Sequence, residues 1–308
     1  MINADGTECQ HFIVPAHYPS LWLAECLRRL GLSLSLRRRI KQTGCVRING
    51  VLSPWTTLVA ANSVLQVEWR VTSRILPQCL PLNCVYEDEW LLVVDKPAGM
   101  LVHPTSGQPD GTLANAVMHH YCQQGRQGVF HPVQRLDKNT SGLLVIAKTG
   151  AVQHSLSRQH MQRRYLAVAS GLFEAASGSI DLPIARRPDS IILRMVSEAG
   201  QKAVTHYQVQ ESFADASLLQ LELETGRTHQ IRLHLSHIGH PLLGDELYGG
   251  ETGLIARQAL HCAFLAFTHP LTQMPVSLSA PLPRDLDRLL RHLGRRHFTA
   301  GSQPGKVD

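Results

Sequence analysis

Short segments with the hydrophobic patterns of β-strands set the fold class of this chain. Residues 90–94 and 143–147 are nearly continuous apolar runs, which are typical of strands buried on both faces. Residues 219–223 alternate between leucine and polar side chains, as a strand with one solvated face does. Helices are fewer, and one of them is predicted to be capped by Thr228 and to continue to Ile238. Because regular helical crossovers do not separate the strands, the pattern favours an α+β fold with a mixed, mainly antiparallel sheet and flanking helices over a doubly wound α/β fold.

Length and composition exclude several classes of protein. The chain has 308 residues, of which 44% are apolar, so it can bury a substantial core, and its length suggests two domains. No apolar run approaches the roughly 18 residues of a membrane span, and the N-terminal residues lack the pattern of a signal peptide. The seven cysteines are scattered and form no C-x-x-C pair, which argues against a disulfide framework and against a Cys-rich zinc site. We therefore expect a cytoplasmic protein that does not bind membranes.

Positive charge is concentrated near the N-terminus. Residues 21–50 contain seven Lys or Arg side chains and one acid, and this excess equals the net charge of +6 of the whole chain. A surface that binds a polyanion, most commonly nucleic acid, has such a concentration of charge, although a solvated helix face would give the same pattern. Arg37, Arg38 and Lys41 lie on the outward face of a short predicted helix that Ser35 would cap.

Residues 1–70 form the first predicted domain. Two short helices with a basic face precede a hairpin at Asn49-Gly50, a dipeptide that favours tight turns. Residues 64–70 then alternate as a strand with one buried face. This arrangement, a small α/β module, resembles the S4-type RNA-binding module. Residues 71–83 contain two prolines and little periodicity, and they are predicted to be a linker.

The most informative segment is Q-R-L-D-K-N-T-S-G, which begins at Gln134 and precedes the apolar run at 143–147. It places Asp137 among small hydrogen-bonding residues shortly before a buried strand. The same residue types are good turn formers, and an aspartate commonly ties such a turn down. The segment alone therefore leaves a structural and a catalytic role open for Asp137.

Other segments of the chain complete a larger pattern. They are V-V-D-K-P-A-G-M-L-V-H-P from Val93, R-R-Y-L-A-V from Arg163, G-R-T-H-Q-I-R-L-H from Gly226 and G-H-P-L-L-G-D from Gly239. Together with R-L-D-x-x-T-S-G they resemble, in the same order, the signature segments of the RluA-type pseudouridine synthases. The resemblance covers roughly residues 82–290, so residues 84–298 are the predicted catalytic domain and 299–308 a flexible tail. One departure is Gln134, because the family usually has His at this position.

The resemblance implies an isomerase that converts uridine in RNA to pseudouridine. The N1–C1′ bond of uridine must break, and the base must rotate and reattach through C5, without a redox change and without a cofactor. Asp137 would act at the sugar, either as a nucleophile at C1′ or as a base at C2′. Arg232 would keep this carboxylate ionised, with Arg227 as the alternative cation. Tyr165 would stack on the uracil, and it could help to remove the C5 proton.

RNA is the implied partner, either ribosomal or transfer RNA, and the protein is expected to be a monomer. The target nucleotide has to leave the folded RNA, and Arg135 could fill the gap, bind a phosphate or form a plain salt bridge. Lys96 could contact a phosphate or belong to a structural turn. Although histidines recur at positions 234, 237 and 240, the chain has no H-E-x-x-H pattern and no nearby cysteine, so no metal site is predicted.

Two other functions are compatible with parts of this pattern. A non-catalytic RNA-binding or ribosome assembly factor with the same fold would make no pseudouridine. A hydrolase that uses Asp137 to cleave the glycosidic bond would release free uracil. Glycoside hydrolases usually need a second carboxylate, however, and no candidate for it stands out by motif.

Overall fold

A computed structural model describes residues 7–300 except 71, 72, 74 and 127, and it describes residues 296–300 by their backbone alone. The chain divides into two compact units, residues 1–80 with 114–131 and residues 81–113 with 132–308. The predicted domain boundaries near residues 70 and 83 assign a function to each segment. A division by contacts does not test such an assignment, so the boundaries stay a prediction. Within the predicted flexible tail, residues 301–308 lie outside the described residues.

The N-terminal segment of the first unit, residues 7–70, combines two helices with short antiparallel strands. Its elements are β1 (Thr7–Ile13), β2 (Leu21–Trp22), α1 (Leu23–Arg29), α2 (Leu34–Thr43), β3 (Gly44–Ile48), β4 (Val51–Leu52), β5 (Leu58–Val59) and β6 (Val64–Arg70). Four strands form a sheet in the order β1-β6-β3-β4, and β2 pairs with β5. The predicted hairpin is confirmed, since Asn49 and Gly50 have φ angles of 51° and 84° between the paired strands β3 and β4. Strand β6 buries Leu65, Val67 and Trp69, as its alternation predicts.

The second unit contains most of the strands. Its elements, together with those at the chain crossings between the units, are β7 (Cys84–Glu87), β8 (Leu91–Lys96), α3 (Leu113–Gln123), β9 (His131–Pro132), β10 (Ser141–Ala147), α4 (Gly150–Arg158), β11 (Gln162–Ser170), β12 (Ser177–Asp181), β13 (Ile184–Arg186), β14 (Arg194–Val196), β15 (Val204–Ser212), β16 (Ala216–Leu223), α5 (Gln230–His237), a 3₁₀ helix (Glu246–Tyr248), β17 (Leu260–Thr268), β18 (Pro275–Ser279) and α6 (Arg284–Ala300).

The large sheet of this unit runs in the order β12-β15-β16-β11-β17-β10-β8-β7, with β18 paired to β17 beside that path. Strands β8 and β10 are the apolar runs seen in the sequence, and every residue of β10 is buried. The neighbours along the path are antiparallel, except that β10 and β17 run parallel through Ser141 with His261 and Gly142 with Cys262. The mixed, mainly antiparallel α+β fold is therefore confirmed.

The parallel contact between β10 and β17 requires glycine at position 142. A Cβ atom there would lie 2.3 Å from the backbone oxygen of Cys262, and the φ angle of Gly142 is +113°. Both the space and the backbone conformation exclude other side chains. Strand β10 is therefore fixed beside β17 directly after the turn that contains Asp137.

Two helices begin at residues other than those predicted. Ser33 caps α2 by accepting a hydrogen bond from the backbone N–H of Leu36 at 3.2 Å, so the predicted cap at Ser35 is wrong. His229 precedes α5 in a left-handed conformation with a φ angle of 59°, so Thr228 is not the cap either. Among the described residues, no helix combines the length and the hydrophobicity that a membrane span requires.

Candidate active site

Folding brings Asp137 and Arg232 together. Asp137 lies in a turn before β10, where its backbone oxygen accepts a hydrogen bond from the N–H of Thr140 at 3.1 Å. Arg232 lies in α5, and its Nη1 donates to Asp137 Oδ2 at 2.9 Å. The Arg232 side chain is 5% exposed, whereas 25% of the Asp137 side chain is exposed. The pair thus combines a buried cation with a carboxylate that remains accessible.

A second carboxylate fixes the guanidinium of Arg232. Its Nε and Nη2 donate to the two oxygens of Asp245, each at 2.7 Å, and the Asp245 side chain is 1% exposed. The ring of Tyr248 lies beside the same guanidinium, with its centroid 5.1 Å from Cζ. Burial alone would lower the pKa of Arg232, but the hydrogen bonds and charge of Asp245, together with the charge of Asp137, raise it well above its ordinary value. Asp245 therefore orients Arg232 so that Nη1 faces Asp137.

His229 lies beside the same carboxylate. Its Nε2 is 3.7 Å from Asp137 Oδ2, and its Nδ1 is 2.9 Å from the hydroxyl oxygen of Tyr248. Burial lowers the pKa of His229, and the charges of Arg232 and Arg194 act in the same direction, although Asp137 opposes them. A neutral imidazole is therefore part of the site.

Tyr165 lies on β11 next to a bulge. The register between β11 and β17 shifts between Arg164 and Tyr165, so that Tyr165 pairs with Cys262. Bulges redirect side chains and are frequent beside active sites. Burial raises the pKa of Tyr165 well above 10.0, and Cys262 and Asp137 add to this effect. The side chain, which is 5% exposed, therefore remains a neutral phenol.

A buried lysine holds the turn that follows Asp137. Lys96 is 0% exposed, and its Nζ donates to three backbone oxygens, at 2.8 Å to Pro97, 2.9 Å to Met100 and 3.0 Å to Lys138. Three acceptors match the three donors of an ammonium group, whereas burial lowers the pKa of Lys96 to about 7. Because Nζ is enclosed, Lys96 has the structural role and not the phosphate contact that the sequence also allowed.

A buried arginine holds the next peptide of the same turn. Arg257 Nη1 donates to the backbone oxygen of Asn139 at 3.1 Å, and its Nε and Nη2 donate to Asp285 at 2.6 Å and 3.0 Å. The consecutive carbonyl groups of residues 138 and 139 are thus bound by cations from two distant parts of the chain. This arrangement limits the movement of the turn on which Asp137 lies.

The other candidates of this unit lie apart from the ion pair. Arg135 is exposed two residues before Asp137, and its charge contributes to a lowered pKa of His103, after burial. Arg227 is exposed and donates from Nε to the backbone oxygen of Lys202 at 3.1 Å, so it is not the partner of Asp137. Gln134 has both amide atoms buried, without a hydrogen-bond partner among the described residues.

The basic residues of α2 belong to the first unit. Arg38 and Lys41 are exposed, as predicted. Arg37 is half-buried, and its Nη1 donates to the backbone oxygen of Ala24 at 3.3 Å.

Sequence reasoning missed four residues of this site, Asp245, Tyr248, His229 and Arg257. Asp245 and His229 lie inside the segments that carry the resemblance, so their position in a motif was an available signal. Tyr248 and Arg257 lie outside those segments, and only their contacts in the folded chain identify them.

Comparison with known proteins identifies the family of this chain. The RNA pseudouridylate synthase family matches residues 90–237. The chain is 41% identical over 276 residues to the uncharacterized RNA pseudouridine synthase YjbO of Bacillus subtilis, which covers 87% of this chain and 97% of that protein. It is 41% identical over 275 residues to the ribosomal large subunit pseudouridine synthase D of Xylella fastidiosa, covering 82% of each chain.

The solved structures include a protein of the same fold. The human RNA pseudouridylate synthase domain containing 4 superposes with a TM-score of 0.57 and 25% identity, over 69% of this chain and 93% of that one. Sequence and fold lead to the same assignment. The chain belongs to the RNA pseudouridine synthase family, of the RluA type, and is an isomerase that converts uridine in RNA to pseudouridine.

Proposed function

We propose that the protein modifies a uridine of ribosomal RNA and that Asp137 is its catalytic carboxylate. The contact between Asp137 and the buried Arg232, at 2.9 Å, is the observation that carries the catalytic role. A buried cation keeps a neighbouring carboxylate ionised, and the ionised form is the one that can act at a sugar as a nucleophile or a base. Ribosomal RNA is favoured over transfer RNA because a relative of similar length is named for the large ribosomal subunit.

The reaction conserves the atoms of the nucleotide. Asp137 attacks C1′ or removes a proton from C2′, and in both routes the N1–C1′ bond breaks. The uracil rotates and C5 bonds to C1′; in the first route the bond between Asp137 and C1′ breaks in this step, and in the second route Asp137 returns the proton to C2′. C5 then loses its proton and N1 gains one, so that no oxidant or reductant is consumed. Arg232 balances the charge of the carboxylate before it reacts and again when it is released.

Tyr165 serves to stack on the uracil. Because burial raises the pKa of Tyr165 well above 10.0, its phenolate is scarcely formed at neutral pH, so removal of the C5 proton by this phenolate is disfavoured. Its aromatic face, in contrast, can support a base of any orientation during the rotation. Arg135, which is exposed two residues before Asp137, is suited to occupy the space that the extruded nucleotide leaves, while Arg227 can bind the RNA backbone.

Residues 1–70 are proposed to be an S4-like module that binds RNA through α2, with residues 84–298 as the catalytic domain. Arg37, Arg38 and Lys41 would neutralise phosphates, which gives affinity without sequence preference. The protein would act as a monomer in the cytoplasm, where ribosomal RNA is modified.

Release of the C5 hydrogen provides a direct test. RNA transcribed with tritium at C5 of uridine loses tritium when C5 bonds to C1′. We expect release by the wild type and none by Asp137→Ala or Asp137→Asn, with RNA dissociation constants within about threefold of the wild type because the phosphate contacts remain. Mapping pseudouridine in ribosomal RNA from cells with and without the gene identifies the position.

Each alternative has its own signature in the same assay. Free uracil in the supernatant would identify a hydrolase and overturn the proposal. Full tritium release by Asp137→Asn would remove Asp137 from the chemistry. A wild-type protein that binds RNA tightly but releases no tritium from ribosomal RNA would be a binding factor.

A further inference from the structure

A chain of polar contacts ends at Asp137, the carboxylate of the reaction proposed above. The backbone N–H of Arg194 donates to the hydroxyl oxygen of Tyr248 at 3.1 Å. The same oxygen is 2.9 Å from His229 Nδ1, and His229 Nε2 is 3.7 Å from Asp137 Oδ2. The reaction steps proposed above use none of these contacts.

The partners of His229 determine where its proton lies. A carboxylate only accepts hydrogen bonds, so a hydrogen on the nitrogen that faces Asp137 is favoured over a lone pair there. Burial lowers the pKa of His229 below 6.5, so the ring is neutral at pH 7 and its Nδ1 is an acceptor. The hydroxyl of Tyr248 accepts from Arg194 and therefore donates to Nδ1. Every donor of the chain thus points toward Asp137.

Both neighbours of the carboxylate address the same oxygen. Arg232 donates to Oδ2, and His229 faces Oδ2. In the part of the chain that the structure describes, Oδ1 of Asp137 receives no hydrogen bond. The side chain is also 25% exposed, so it is accessible from solvent. Two groups on Oδ2 limit rotation of the carboxylate and leave Oδ1 available to the ribose.

The backbone at His229 supports a role beyond packing. Its φ angle of 59° lies in the left-handed region, which residues other than glycine adopt at a cost in free energy. Such conformations persist where the surroundings hold them, and they cluster at functional sites. Here the hydrogen bond to Tyr248 holds the ring in place.

We propose that His229 is a positioning residue that donates from Nε2 to Asp137 Oδ2 in the complex with RNA and thereby presents Oδ1 to the ribose. The inference rests on the catalytic role proposed for Asp137. The separation of 3.7 Å in the free protein is longer than a hydrogen bond, but contacts of this kind often shorten when substrate binds.

Two amide replacements separate the two nitrogens of the ring. The amide nitrogen of glutamine can occupy the place of Nε2 and donate to Asp137, whereas asparagine is too short and can only reach the place of Nδ1. Asparagine also tolerates the left-handed conformation well, so His229→Asn is the variant least prone to misfold. Tritium release under single-turnover conditions, with RNA concentration varied, gives the rate constant and the half-saturating concentration separately.

We expect His229→Asn and His229→Ala to lower the rate constant about 10- to 100-fold, the range for loss of a hydrogen bond to a charged group, with the half-saturating RNA concentration unchanged. His229→Gln should retain at least about ten times the rate constant of His229→Asn on the same grounds. Tyr248→Phe, which removes only the hydroxyl, should show an intermediate loss. Thermal unfolding of each variant reports folding independently.

Several results would overturn the inference. Equal rate constants for His229→Gln and His229→Asn would show that a donor at Nε2 does not matter. A change confined to the half-saturating concentration would make His229 an RNA contact instead. Full turnover by Asp137→Asn would overturn the proposed function and this inference with it, whereas an inactive Asp137→Asn beside a fully active His229→Asn would overturn the inference alone.

Discussion

On helix α2 of the first unit most of the positive side chains face solvent, whereas three positive side chains around the candidate site of the second unit are buried and bound. Arg38 and Lys41 are exposed, and no described residue forms an ion pair with either. Lys96, Arg232 and Arg257 are at most 8% exposed, and each binds carboxylate or backbone oxygens.

Exposed and buried positively charged side chains are therefore expected to have different roles. Exposed cations exchange places with mobile counterions, so they attract a polyanion over a distance and without a fixed geometry. Buried cations are already bound to carboxylate or backbone oxygens, and they contribute position more than attraction. Variants of the two sets should therefore fail in different measurements.

Removal of Arg232 should have the largest effect. Arg232→Leu leaves the carboxylate of Asp245 buried without a partner, which costs about 3–5 kcal/mol of unfolding free energy, and it removes the cation beside Asp137. Tritium release should fall to background, and urea denaturation should show the loss of stability. The double variant Arg232→Leu with Asp245→Leu should regain most of the stability but none of the turnover. Turnover by the double variant would mean that Arg232 acts only as a structural residue.

Neutralising α2 should have a moderate effect, visible in RNA binding alone. Each cation that contacts a phosphate contributes about 0.7–0.9 to the slope of log affinity against log salt concentration. The triple variant of Arg37, Arg38 and Lys41 to alanine should therefore lower that slope by roughly two to three, as filter binding at several salt concentrations can measure. The matched control replaces Arg158, Arg284 and Arg291, three exposed arginines of the second unit, and removes the same charge. If both triple variants change the slope equally, net charge and not α2 accounts for the binding.

The smallest effect on turnover is expected for the protonation of Lys96, which acts on stability alone. Burial lowers its folded-state pKa to about 7 from 10.5, so between these values the unfolded chain binds the proton that the folded chain has lost. The unfolding free energy of the wild type should therefore rise with pH in this window, relative to Lys96→Met, by up to about 1.4 kcal/mol per pH unit. Urea titrations of both proteins at pH 6.5, 8 and 9.5 would measure the difference. A constant difference across these pH values would show that the three carbonyl groups keep the ammonium charged.

Strands with a clear hydrophobic pattern could be predicted from the sequence. Strands β6, β8 and β10 lie where alternation or continuous apolar runs placed them, because burial acts on each residue in turn. Pairing of Asp137 with Arg232 followed from the resemblance between motifs. The cap of α5 was predicted wrongly, since the preference of threonine for that position says nothing about the contact that holds His229.

The supports of the turn could not be predicted in the same way. Arg257 reaches the backbone oxygen of Asn139 from 118 residues away, and Lys96 reaches that of Lys138 from 42 residues away. Such bonds depend on which main-chain oxygens lie near a cation after folding, and a backbone oxygen has no signature in the sequence. The candidate site residues could therefore be predicted from motifs, whereas the residues that support them could be identified only from the structure.

The short parallel pairing between β10 and β17 divides the large sheet into two parts. Two residue pairs join the two parts, while longer antiparallel pairings hold the strands within each part. Asp137 lies in the turn before β10 in one part, and Tyr165 lies on β11 in the other. The relative position of Asp137 and Tyr165 therefore depends on this junction, where the close approach of Gly142 to Cys262 keeps β10 beside β17.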